Sequence, residues 1–194
     1  MGAPVVGILL AAGRGRRFDP LGQRNKLLQP LAAAGGEPVV LVSARKLLAV
    51  VSTVIAVVPP DDGGVGALLA AAGCELAVCP DADSGMAASL VHAIRHSLPR
   101  DPAAWLVALG DMPHVAPSTL RLLAEALVCG AEIAVPVLDG RRGNPVGFGR
   151  VYQDALLALR GDQGARRLLQ TCPVIEIAVA DPGIFQDIDT PADL

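Results

Sequence analysis

The chain has 194 residues, of which 52% are hydrophobic and 18% are charged, with a formal net charge of −3 at pH 7. This composition indicates a globular protein and excludes a disordered chain, and the small negative charge argues against nucleic acid as a partner. The length suits a single domain over residues 1–194. Because neither a secretory leader pattern nor a run of 18 apolar residues is found, we expect a cytoplasmic protein with no membrane partner.

Short apolar runs alternate with helical patterns along the chain, which is typical of an α/β protein with a mostly parallel central sheet. The predicted strands cover residues 5–10, 53–58, 75–78, 105–109, 133–137 and 174–179. The predicted helices cover residues 38–48, 65–72, 86–97, 117–129, 152–159 and 164–169. Right-handed crossovers would bring the carboxyl ends of the strands to one edge, where open α/β sheets bind ligands.

A glycine-rich basic segment follows the first predicted strand. Residues 10–18 read Leu-Ala-Ala-Gly-Arg-Gly-Arg-Arg-Phe, and a lysine, Lys26, comes after them. Glycines let backbone N–H groups converge on an anion, and the arginines and the lysine add positive charge beside it. The segment therefore predicts a nucleoside triphosphate site. A solvated basic turn is the alternative, whereas the Rossmann dinucleotide and P-loop fingerprints are not matched.

A carboxylate, Asp111, follows the strand predicted at 105–109. Its position beside the phosphate loop suits Mg²⁺, a hard ion that binds one or two carboxylates together with phosphate oxygens. A turn or N-cap role before the helix at 117 is the alternative. Near the C-terminus, Asp187 and Asp189 alternate along an extended segment, so both point the same way and one of them is expected to supply a second metal ligand. Asp193 is predicted in the first turn of a helix.

Two further segments, residues 141–150 and 161–166, are glycine-rich and polar and contain arginines. We interpret both as turns suited to a second anionic ligand, although ordinary loops have the same composition.

These motifs resemble, in collinear order over residues 5–194, the nucleotidyltransferases of the sugar-nucleotide and cofactor type. Residues 10–18 resemble Leu-Ala-Ala-Gly-x-Gly-x-Arg-Met, with Phe18 in place of the methionine. Residues 26–31 resemble Lys-Leu-Leu-x-Pro-Leu, although residues 19–25 intervene where the family has a shorter connection. Within this class the chain most resembles the MobA-like NTP transferases, and among them the molybdenum cofactor cytidylyltransferases.

The resemblance implies a three-layer Rossmann-like nucleotidyltransferase fold. It also implies transfer of CMP from CTP to a molybdopterin-type acceptor with release of pyrophosphate, with Mg²⁺ as the cofactor and a molybdoenzyme or its chaperone as a partner. The implied catalytic residues are Arg17, Lys26 and Asp111, and the implied metal ligands are Asp111, Asp187 and Asp189. The implied nucleotide-binding residues are Leu10, Ala11, Ala12, Gly13, Arg14, Gly15, Arg16, Arg17, Lys26, Pro59, Cys79, Gly85, Ser89 and Gly110. The implied acceptor-binding residues are Arg142, Asn144, Pro145, Asp162 and Arg166.

Three alternatives stay open. A guanylyl- or sugar-phosphate nucleotidyltransferase would share the fold, and Cys79 stands where the family usually has an asparagine beside the base. An NAD(P)H-dependent reductase resembling nicotine blue oxidoreductase is a second alternative, because fold alone does not fix the chemistry. A non-catalytic nucleotide- or cofactor-binding module is the third.

Overall fold

The computed structural model describes residues 4–13, 15, 17–161 and 165–194. Within them, a main sheet is built from β1 (Val5–Leu10), β4 (Val54–Val58), β5 (Glu75–Val78), β6 (Ala104–Leu109), β7 (Ile133–Leu138), β8 (Arg141–Arg142), β9 (Val146–Gly149) and β10 (Ile175–Ala178). A small ribbon pairs β2 (Pro30–Leu31) with β3 (Glu37–Pro38). The helices are α1 (Val39–Leu48), α2 (Val65–Ala71), α3 (Met86–Ser97), α4 (Pro117–Val128), α5 (Gln153–Leu157) and α6 (Arg166–Thr171).

The sheet order is β5-β4-β1-β6-β9-β7-β10, with β8 paired to β7. The first strand, β1, lies between β4 and β6 and is parallel to both, with Ile8 opposite Ile55 and Val107. Strand β9 runs antiparallel between β6 and β7. The prediction of an α/β fold with a mostly parallel sheet is confirmed.

Helices cover both faces of the sheet and give the fold three layers. Successive residues of a strand face opposite sides, so Leu9 packs with Leu47 and Leu123 on one face. Ile8 packs on the other face with Ile94 and with further residues from α3, α5 and β6. Burying each such side chain contributes roughly 1.5–3 kcal/mol, so the two apolar layers hold the strand ends in fixed positions.

The predicted strands and helices occur within about two residues of their predicted bounds, as element boundaries usually do. The start of the helix predicted at 164–169 lies outside the described residues. The interpretation of residues 141–150 as a turn was wrong in part, because this segment contains β8 and the buried strand β9. Gly147 and Gly149 interrupt the apolar residues of β9, so the sequence does not show the pattern of a buried strand. A Cβ at Gly147 would lie 2.8 Å from the Leu127 side chain, so α4 packs directly on this backbone.

The C-terminal segment lies across the loop that follows β6. The amide of Ile188 donates to the carbonyl of Asp111 (2.8 Å), and the amide of Asn144 donates to the carbonyl of Ile184 (3.0 Å). A Cβ at Gly183 would lie 2.3 Å from the carbonyl oxygen of His114, so the two backbones touch. The fold thereby brings residues near 189 to the carboxyl edge of the sheet.

In the described part of the chain, the helices are too short or too polar to cross a bilayer.

Candidate active site

The loop after β1 is fixed at both ends. At its start, the amide of Ala11 donates to the carbonyl of Val57 (3.0 Å). Gly15 has a φ of +59°, a left-handed conformation that favours glycine, and its carbonyl accepts from the amides of Phe18 and Asp19. The ring of Phe18 is buried with Leu31, Val39, Val42 and Ile188. The segment is therefore an anchored turn. Arg14 and Arg16 lie outside the described residues.

Lys26 lies on a short 3-10 turn, Lys26–Leu28, and its side chain is only 9% exposed. The preceding Asn25 shapes this turn, because its side-chain oxygen accepts from the amide of Leu27 (3.0 Å). The Lys26 ammonium donates to Asp111 Oδ2 at 2.6 Å and to Asp189 Oδ1 at 3.4 Å. A buried ammonium must be paired to offset its lost hydration, and here two carboxylates share it.

Arg17 extends this network towards solvent. Its guanidinium pairs with the other carboxylate oxygen of Asp189, while its side chain stays 79% exposed. The charged groups therefore alternate in sign along the sheet edge, from Arg17 through Asp189 and Lys26 to Asp111. An exposed pair contributes little to stability, so the Arg17 guanidinium is available to a ligand at low cost.

Asp111 is held by its backbone. The amide of Gly110 donates to the carbonyl of Leu10 (2.9 Å), and a Cβ at Gly110 would lie 3.2 Å from that oxygen. The Ser43 hydroxyl donates to the Gly110 carbonyl (3.1 Å). The alternative N-cap role fails for Asp111, because the N-cap of α4 is Ala116. The Asp111 carboxylate instead accepts from the Lys26 ammonium.

Asp187 completes a cluster of three carboxylates. Burial raises the pKa of its carboxyl group, and the nearby charges of Asp189 and Asp111 raise it further. The oxygen donors suit a hard divalent cation that binds two carboxylates together with phosphate oxygens. Within the described ranges, no three His, Cys, Asp or Glu side chains are spaced as a ready-made metal site. Asp111, Asp187 and Asp189 are therefore the described carboxylates that could hold such an ion.

A cleft of about 470 Å³ opens above these groups. It is lined by Leu10, Ala11, Ala12, Gly13, Lys26, Leu27, Ala82, Asp83, Gly85, Met86, Ser89, Leu109 and Asp111. Seven of the predicted nucleotide-binding residues are among them, and their role stays a prediction. The amino end of α3 begins at Gly85 on the cleft wall, and such an end favours negative charge.

A wider cleft of about 1100 Å³ shares Ala11, Ala12, Gly13 and Asp83 with the first. Its walls are residues 19–25 and 59–63, which include the predicted Pro59. In the sequence, residues 19–25 stand out only as an insertion relative to the family pattern, and the length of this insertion was the signal that it forms a wall. The side-chain amide of Asn25 donates to the carbonyl of Asp62 (3.3 Å) and so joins the two walls.

Cys79 and Gly110 line neither of these two clefts. Cys79 is only 2% exposed, and burial raises the pKa of its thiol. Its predicted contact with the nucleotide stays a prediction.

The predicted acceptor residues are spread over several elements. Asn144 and Pro145 line a small cavity beside Leu109 and Met112, which places them near the carboxyl end of β6. Arg142 is exposed, but its guanidinium already binds Glu176 (2.7 Å) and the Leu169 carbonyl (2.9 Å). Arg166 is exposed at the start of α6, and Asp162 lies outside the described residues.

The fold and the charged sheet edge suit a nucleotidyltransferase. The chain belongs to the MobA-like NTP transferase family, whose domain matches residues 7–177.

Solved structures support the same class. The crystal structure of Rv0371c from Mycobacterium tuberculosis H37Rv is similar, with a TM-score of 0.82 and 31% identity over 100% of this chain and 96% of that one. The manganese complex of Rv0371c has a TM-score of 0.79 and 30% identity, over 98% of this chain and 95% of that one. A nucleotidyl transferase from Methanothermobacter has a TM-score of 0.79 and 26% identity, over 99% of this chain and 94% of that one.

Among curated proteins, the purine catabolism protein PucB of Bacillus subtilis (strain 168) is 30% identical over 120 residues. The match covers 60% of this chain and 58% of PucB, so it spans less than two thirds of that relative's length.

We predict that Asp187→Asn stabilises the metal-free protein at neutral pH. Because the pKa of Asp187 is raised in the folded state, its ionisation above the ordinary value of 3.8 costs folding free energy. The amide removes that cost, so the gain should vanish at pH values below 3.8. Thermal unfolding in EDTA across this pH range measures both effects.

Asp193→Asn is the matched control with the opposite sign. The Thr190 hydroxyl and the amides of Thr190 and Asp189 lower the pKa of Asp193, so its ionised form favours folding. This variant should lose stability at neutral pH and approach the parent as the pH falls. A loss of stability in Asp187→Asn at neutral pH would contradict the carboxylate cluster.

Proposed function

We propose that this nucleotidyltransferase transfers CMP from CTP to the phosphate of a molybdopterin-type cofactor and releases pyrophosphate. The observation that carries the proposal is the buried Lys26 ammonium, which lies between Asp111 and Asp189 at a cleft lined by the loop after β1. A cationic group at the base of a glycine-lined cleft suits a polyphosphate chain, whose charge it can neutralise as bonds to phosphorus change.

In the proposed reaction, an acceptor phosphate oxygen forms a bond to the α-phosphorus of CTP as the bond to the pyrophosphate oxygen breaks. Lys26 and Arg17 stabilise the negative charge that develops on the leaving pyrophosphate. Residues 10–13 hold the triphosphate, so the protein contributes mainly orientation and charge. No side-chain nucleophile is required.

Asp111, with Asp187 or Asp189, would hold Mg²⁺. When bound, the ion would neutralise phosphate charge and orient the phosphate oxygens. The carboxylate cluster supports this assignment, because carboxylates that repel one another gain from a shared cation.

The acceptor is proposed to lie against Asn144 and Pro145, with Arg142, Asp162 and Arg166 around it. The support is the position of the turn before β9, which lies beside Leu109 and Met112. The glycine at 143 lets the turn approach closely, since a Cβ would lie 2.6 Å from the Ile184 carbonyl.

CTP is favoured by the Leu-Ala-Ala-Gly sequence at 10–13 and by the compact size of a pyrimidine against Ser89. A thermal-shift panel of CTP, GTP, ATP and UTP with Mg²⁺ tests this choice. The nucleotide that binds best should stabilise most, by about 2.7 kcal/mol at 100 times its Kd. We expect CTP to give the largest shift. A larger shift with GTP would reject the cytidylyl assignment alone, and a shift with NAD(P)H but with no triphosphate would favour the reductase alternative.

Asp111→Asn should abolish metal-dependent pyrophosphate release in a protein that still folds, because the amide keeps the volume but weakens a metal ligand. Some loss of stability is expected, since Lys26 loses one charged partner. Asp154→Asn is the control, since this exposed carboxylate lies in α5, outside the clefts. Release is measured with CTP and a molybdopterin-type acceptor. Near-normal turnover in a folded Asp111→Asn protein would remove Asp111 from the reaction.

A further inference from the structure

Lys46 is a partly buried lysine that the proposed reaction does not use. The chain has only two lysines against fourteen arginines. Both of them contact the loop that follows β6. Lys26 binds the side chain of Asp111, whereas Lys46 donates to the carbonyl oxygens of Pro113 (2.5 Å) and Val115 (3.0 Å).

The surroundings of Lys46 distinguish it from a surface lysine. Burial lowers the pKa of its ammonium, and the charge of Asp181 acts in the opposite direction. The two carbonyl contacts compensate part of the lost hydration, as a buried charge requires. A compact ammonium with three donors suits two nearby carbonyls better than the planar fork of arginine does.

Asp181 holds the end of the same stretch through a second set of contacts. This buried carboxylate accepts from the amide of Ala116 (2.8 Å), the hydroxyl of Thr119 (2.6 Å) and the amide of Gly183 (3.0 Å). The stretch after Asp111 is therefore held between a cation on α1 and an anion from the C-terminal segment.

Helix α1 contacts this loop on both sides of Asp111. Ser43 lies one helical turn before Lys46 on the same face, and its hydroxyl donates to the carbonyl of Gly110. Lys46 holds the carbonyls at 113 and 115. The two side chains thus bracket Asp111 and limit the directions in which its carboxylate can point.

We propose that Lys46 is a positioning residue, which fixes the 110–115 loop so that Asp111 faces the metal and phosphate site. The inference rests on the proposed function, because it gives Asp111 a role as a metal ligand. It adds that metal affinity depends on a side chain that does not itself bind the metal.

Lys46→Met tests this proposal, because methionine keeps most of the apolar stem and removes all three donors. Binding of Mn²⁺ alone is titrated by electron paramagnetic resonance. We expect the Kd for Mn²⁺ to rise at least about tenfold, because one of the metal ligands would be misplaced. A tenfold rise corresponds to about 1.4 kcal/mol of binding free energy. In turnover, kcat should fall while the KM for CTP stays within about twofold.

Two controls separate positioning from general destabilisation. Arg45→Met removes the neighbouring cation of α1, which is exposed and pairs with Glu37. Trp105→Phe removes a buried hydrogen bond to Ser97 (2.8 Å) on the other face of the sheet. Both variants should bind Mn²⁺ like the parent, although Trp105→Phe should unfold at a lower temperature. If Lys46→Met does not fold, Lys46→Gln keeps one amide donor group and should show a smaller loss of Mn²⁺ affinity.

Unchanged Mn²⁺ affinity in a folded Lys46 variant would overturn this inference and leave the proposed function standing. An equal loss in Trp105→Phe would also overturn it, because any destabilisation would then suffice. A parent protein that binds no Mn²⁺ would overturn the metal site itself, and the positioning role with it.

Discussion

The structure depends on one buried cation, the ammonium of Lys26, shared by Asp111 and Asp189. These three residues come from distant parts of the chain. Their contact requires the loop after β1, the loop after β6 and the C-terminal segment to meet at one edge of the sheet. Removing either carboxylate would leave a buried charge less well paired, so the electrostatic requirement and the fold support each other.

The same edge carries more carboxylate than stability alone would favour. Asp187 adds a third acid, whose pKa is raised by its burial and by the neighbouring acids. Such repulsion costs folding free energy and is typical of functional sites. The backbone contacts of Ile188 and Gly183 hold the C-terminal segment against the 111–115 loop despite this repulsion. Lys46 and Asp181 also hold that loop, through its carbonyl groups at 113 and 115 and its amide at 116.

The sequence predicted the parts of the fold that depend on local pattern. Continuous apolar runs identified the parallel strands. The position of Asp111 directly after a strand placed this residue at the carboxyl edge of the sheet. Strand β9 was missed because Gly147 and Gly149 interrupt the apolar pattern. A larger side chain would not fit at either position, since α4 packs against Gly147 and the backbone of residues 131–132 packs against Gly149. The contact of Phe18 with Ile188, the wall formed by residues 19–25 and the grip of Lys46 on two carbonyls all depend on tertiary contacts. No local signal encodes the contacts of Phe18 and Lys46, whereas the wall was indicated only by the number of residues between Phe18 and Lys26.

We expect the Lys26 ammonium to exchange its contact with a carboxylate for a contact with a phosphate when the nucleotide binds. A crystal structure with CTP and Mg²⁺ measures this directly through the position of the Lys26 Nζ atom. We expect Nζ to lie within about 3 Å of a phosphate oxygen, a normal hydrogen-bond distance, and to have left its 2.6 Å contact with Asp111 Oδ2. A bound nucleotide that leaves the Lys26–Asp111 pair intact and makes no contact with Lys26 would contradict it.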